Sequence, residues 1–107
     1  MPNNYKNAKL DLTANTATTL YTCPAATTSV VKSILVSEDS GNADTITVTI
    51  TNAATAVFSL FKVKAVSANT TVELLTAPLV VQENEILKVT AATANRLHVV
   101  ASFLEVS

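Results

Sequence analysis

The run Asp44-Thr45-Ile46-Thr47-Val48-Thr49-Ile50-Thr51 constrains the fold more than any other segment. Extended backbone turns successive side chains to opposite faces, so Ile46, Val48 and Ile50 point one way and the threonines the other. Such a strand belongs to a sheet with one dry face and one hydroxyl-covered face. Similar segments recur to the C-terminus, and no window has a convincing helical period. Strands are expected over residues 18–23 (stopped by Pro24), 29–37, 45–51, 56–66, 71–75, 79–81, 86–91 and 97–106. The chain therefore reads as all-β, a jelly-roll or immunoglobulin-like sandwich of about seven to eight antiparallel strands.

Several segments carry finer expectations. Residues 29–37 are nearly continuous in apolar content, which suits a central strand contacted on both faces, the second face by a subunit. In residues 56–66, Val57, Phe61, Val63 and Ala65 suit burial while Lys62 and Lys64 face outward. Phe58 and Leu60 share the lysine face, which a bulge, a bend between sheets or an interface would explain. Gly41, the only glycine, sits in the turn Glu38-Asp39-Ser40-Gly41-Asn42 and is expected at positive φ.

At 107 residues the chain makes one domain, placed at residues 16–107. Residues 1–15 read as an N-terminal arm, and the polar 1–9 as lying outside the sheet or ordered against a neighbouring subunit. Leu10 and Leu12 begin the pairing. Without tryptophan, the core is built from Val, Leu, Ile and Ala, with Phe58, Phe61 and Phe103 as its few large pieces.

Chemistry is sparse. Charged residues make up 14% and the net charge is -1, so no basic patch is available to neutralise phosphates and no nucleic-acid partner is expected. No signal peptide is visible, and no apolar run approaches a membrane span. Cys23 is the only cysteine and reads as a small buried hydrophobe. His98 is the only histidine and has no local partner pattern, as imidazole catalysis would require. Glu38, Asp39, Asn42 and Asp44 lack calcium-loop spacing, and Glu83 and Glu85 read as an ordinary acidic turn. No catalytic residue, metal ligand or cofactor is assigned.

Three segments carry a resemblance. They are Leu20-Tyr21-Thr22-Cys23-Pro24-Ala25-Ala26-Thr27-Thr28-Ser29-Val30-Val31-Lys32-Ser33-Ile34-Leu35-Val36, then Ala77-Pro78-Leu79-Val80-Val81-Gln82-Glu83-Asn84-Glu85-Ile86-Leu87-Lys88-Val89-Thr90-Ala91, and Val99-Val100-Ala101-Ser102-Phe103-Leu104-Glu105-Val106. Together they resemble small virion proteins of tailed bacteriophages in the texture of strands and turns over residues 18–106. Those proteins usually carry glycine where this chain has Ala26 and Asn84. Asparagine tolerates a left-handed backbone, whereas alanine meets a steric cost there.

The resemblance implies a non-enzymatic virion protein on the capsid exterior, a decoration or cement protein that binds the major capsid protein or other virion proteins. A homo-oligomer is implied, and a trimer suits local three-fold positions. The alternative is a tail, neck or fibre component, including a receptor- or glycan-binding module. The interface residues expected from exposed apolar positions and the arm are Tyr5, Leu10, Leu12, Phe58, Leu60, Val100 and Leu104.

Overall fold

In a computed structural model, which describes residues 3–107, the alternating Thr-Ile run forms strand β4 (Asp44–Thr51). Ile46 and Val48 are wholly buried, while Thr45, Thr47 and Thr49 lie half-buried on the other side. The other strands are β1 (Asn3–Asp11), β2 (Thr18–Thr22), β3 (Thr28–Glu38), β5 (Val57–Val66), β6 (Thr71–Glu73), β7 (Leu79–Val81), β8 (Ile86–Ala91) and β9 (Leu97–Val106). No helix occurs among the described residues.

The strands form two antiparallel sheets. The first runs β1-β9-β3-β6, with β7 also paired to β3; the second runs β2-β8-β4-β5. β6 pairs Leu35–Ser37 and β7 pairs Ser29–Val31, so together they make one interrupted edge along β3. Counted that way, the first strand pairs the last, the second the next to last, and so inward to β4 with β5. A single long antiparallel ribbon has been rolled into two layers, which is jelly-roll rather than immunoglobulin order. Leu20, Val31, Ile34, Ile46, Leu87, Val99 and their neighbours fill the space between the layers.

Three expectations need correction. Asn3–Asp11 does not lie outside the sheet. It pairs along its whole length with β9, from Asn3 opposite Val106 to Asp11 opposite His98. Its polar composition reflects an edge strand, one of whose backbone rows and much of whose surface face solvent; Met1 and Pro2 lie outside the described residues. Leu12 is core, wholly buried, and so cannot serve as an exposed contact. In β5, Val57, Val63 and Ala65 are exposed, and so is Phe58, which is therefore no piece of the core, while Phe61 is half-buried. Two register shifts along β4–β5 cause this. Val63 takes φ 54° and its N–H donates to Thr47 Oγ1 at 3.0 Å, so period-two alternation fails there.

Carboxylates do the work of the missing glycines in the turns. The Glu38 side chain is buried at the end of β3 and accepts N–H bonds from Ser40, Gly41, Asn42 and Asn69, and a bond from the Ser40 hydroxyl. It thereby fastens the β3–β4 turn to the β5–β6 turn. Burial alone would raise its pKa, but the Ser40, Asn69 and Gly41 bonds prevail and hold it at about 2. Glu73 fills the break between β6 and β7, accepting from the Ser33 hydroxyl, from Ile34 N–H at 2.8 Å and from Leu75 N–H at 3.2 Å. Glu83 accepts from Ala26 N–H, Glu85 from Gln82 N–H and Asp44 from Thr93 N–H.

Candidate interaction surface

The feature least expected of a solitary sandwich is the outer face of the first sheet. Strand register places its outward side chains in rows. One row crosses the whole sheet: Tyr5 opposite Leu104, Leu104 opposite Val30, and Val30 opposite Val80. Tyr5 is 74% exposed and Val80 51%, so no described residue buries the ends of the row. The next row is polar: Asn7, Ser102 and Ser33. A third has an apolar centre with charged ends: Lys9, Val100, Leu35 and Glu73. A fourth holds Asp11, His98, Ser37 and Thr71. Lys32 is the extra residue at a bulge in β3, and its ammonium lies 5.8 Å from the centre of the Tyr5 ring.

Of the sequence-derived interface residues, Tyr5, Val100 and Leu104 come together on this face. Leu10 turns inward and packs half-buried against the core, and Leu12 is core. Phe58 and Leu60 lie elsewhere, on edge strand β5. Phe58 is 54% exposed, and Leu60 borders an open apolar groove of about 300 Å³ between β5 and the β6–β7 connection. Leu74, Leu75 and Pro78 line its other wall. Sequence reading missed Val80, because a three-residue strand shows no alternation. Val30 and Leu35 were legible, since the apolar run in β3 had called for cover on both faces.

Where the sheets meet, the carboxylate of Glu105 on β9 is buried against β2. Tyr21 donates its hydroxyl to Glu105 Oε2 at 2.5 Å, and Lys6 Nζ lies 2.8 Å from Oε1. The Tyr21 and Phe103 rings pack beside them with centroids 4.2 Å apart. The lysine and phenol bonds hold the carboxyl below its ordinary pKa against the opposing effect of burial. Burial, and then the bond to Glu105, push the phenol above its usual range. The arrangement balances a buried charge; it offers no open site for a substrate.

His98 has partners after all, brought from outside its own strand. Its Nε2 lies 3.3 Å from Asp11 Oδ1 and its Nδ1 lies 3.4 Å from Asp39 Oδ2. The shallow hollow beside it is lined by Lys9, Leu10, Asp11, Val99 and Val100, none of them a nucleophilic alcohol or thiol. Cys23 is wholly buried near Glu105, at the other end of β9, about 24 Å along the strand from His98. No group of three or more His, Cys, Asp or Glu able to hold a metal occurs among the described residues.

No protein-family model matches the chain, and no curated protein matches it. Among solved structures it is similar to one described by the words "Bacillus endospore appendages form a novel family of disulfide-linked pili", with a TM-score of 0.60. The match covers 99% of this chain and 87% of that one at 10% sequence identity. At that identity the likeness is one of fold. It extends over essentially the whole sandwich.

Proposed function

We propose that this jelly roll is a non-enzymatic structural subunit that binds the outer capsid surface of a tailed bacteriophage and stabilises the shell. The observation that carries the reading is the row Tyr5–Leu104–Val30–Val80, an apolar band across a sheet face whose ends, Tyr5 and Val80, no described residue buries. A monomer gains nothing from such a band in water, whereas a subunit docked on protein buries it. The phage assignment rests on the resemblance of residues 18–106 to small virion proteins. A protein that binds the assembled shell and not its separated subunits stabilises the shell by mass action. A second reading, a tail, neck or fibre subunit, is favoured by the fold shared with a pilus structure. Electron cryomicroscopy of tailed-phage particles assembled in the presence of the chain tests both. Density over the capsid faces supports decoration, density confined to one vertex supports the second reading, and absence from the particle overturns both.

A further inference from the structure

We propose that the outer face of the first sheet is covered by the same face of a second copy, related by a two-fold axis that runs along the strands between β9 and β3. This rests on the reading above that the face docks protein, and it names the partner. A two-fold axis in that position exchanges the sides of the sheet and keeps each row at its own level. Tyr5 then meets Val80 of the other copy, Leu104 meets Val30, and Val100 meets Leu35. Lys9 and Glu73 stand at opposite ends of one row, so each lysine falls opposite the other copy's glutamate, twice per pair. Glu73 already accepts three hydrogen bonds, which leaves one of its roughly four acceptor sites for a lysine. Asp11 falls opposite Thr71 and His98 opposite Ser37, while the bulge residue Lys32 has its backbone opposite β9 of the partner and its ammonium over its own Tyr5. No acid meets an acid and no lysine meets a lysine. The face is thus self-complementary in both apolarity and charge, as a two-fold contact requires.

Size decides whether the face is large enough for a specific contact. A face four strands wide and nine residues long measures about 19 by 30 Å, so a pair buries about 1,100 Å² in total. That just clears the area expected of a specific interface.

Sedimentation across a concentration series, together with zero-length carbodiimide coupling and mass spectrometry, tests the proposal on the full chain. Within one chain Lys9 and Glu73 lie three strand spacings apart, about 14 Å, so a direct amide between them must join two copies. The expected result is a reversible dimer carrying the Lys9–Glu73 cross-link. Lys9→Glu should weaken it about tenfold by turning two attractions into repulsions. Val80→Lys, at an exposed edge position, should abolish it while leaving the urea midpoint of the monomer unchanged. A strict monomer at millimolar concentration, a trimer, or a dimer cross-linked only elsewhere overturns the proposal. If the chain is monomeric yet Val80→Lys removes it from particles, the face docks on the shell instead. The two-fold pair then fails while the structural role stands.

Discussion

Tyr21 on β2 and Glu105 on β9 join the two sheets through a 2.5 Å hydrogen bond whose acceptor is a buried carboxylate. Apolar side chains dominate the space between the layers, but this bond is directional and fixes how β2 of one sheet sits over β9 of the other. Removing the hydroxyl leaves Lys6, among the described residues, to balance a desolvated charge. Tyr21→Phe should therefore cost about 1–3 kcal/mol, read as a lower urea midpoint with an unchanged m-value.

Acid should unfold the protein through its turns. Glu38, Glu73 and Glu105 all have folded pKa values below the ordinary carboxylate value of 4.5, with Glu38 at about 2. A depressed folded value means that the unfolded chain takes up the proton first. The stabilisation is then fully present above about pH 4.5 and is lost as pH falls towards 2. Urea midpoints measured between pH 6 and pH 2.5 should fall, most steeply below 4.5. Glu38→Gln should lower the midpoint at neutral pH and flatten that slope, because an amide group sets an N–H against the turn N–H donors. An unchanged slope would show that Glu38 is not linked to folding.

Much of this architecture was legible in the chain, and the failures share a cause. Alternation in 44–51 and β-branched runs elsewhere give the strands directly, because period-two burial is a local property. β1 was hidden because an edge strand has no buried face of its own beyond Ala8 and Leu10, and its pairing partner lies about ninety residues away. Val63 defeated the pattern because a bulge shifts register without leaving a glycine to mark it. Around Glu38 and Glu83 the sequence shows only acidic turns, since what these carboxylates accept from is set by tertiary structure. Glu38 bonds Asn69, a residue thirty-one positions on. The outer-face row was half visible, in the doubly apolar β3, and half not, in Val80.

With one glycine in the chain, six other residues among those described hold positive φ, including Thr55 at 68° and Ala26 at 57°. Ala26 and Asn84 occupy the positions where the resembling virion proteins carry glycine, and both are left-handed here. A β-branched residue suffers most in that region, by roughly 1–2 kcal/mol, against the roughly 0.5–1 kcal/mol of extra chain entropy glycine brings. Thr55→Gly should stabilise the protein by about 0.5–1 kcal/mol. Gly41→Ala is the converse. A Cβ there would meet nothing closer than Asn69 Nδ2 at 3.9 Å, so its cost is conformational alone, about 1 kcal/mol. Thermal midpoints of the two variants should move in opposite directions.

Cys23 reports on opening of the sandwich. Its side chain has no exposure, its thiol lies 3.4 Å from the Thr27 carbonyl, and burial raises its pKa. A raised pKa keeps the sulfur protonated and burial keeps reagents away, so both act against attack. The N–H of Cys23 bonds the Glu85 carbonyl and its own carbonyl accepts from Asn84, which ties β2 to the start of β8. Exposing the sulfur therefore means detaching this end of β2 from the sheet. An aromatic disulfide reagent should label native protein only at the rate of that opening, and label it at once in denaturant. Tyr21→Phe loosens the same end, so it should speed native labelling roughly in proportion to its loss of stability. Fast labelling of the unaltered protein would mean that β2 is not held as described, and any association of copies should persist unchanged under reducing conditions.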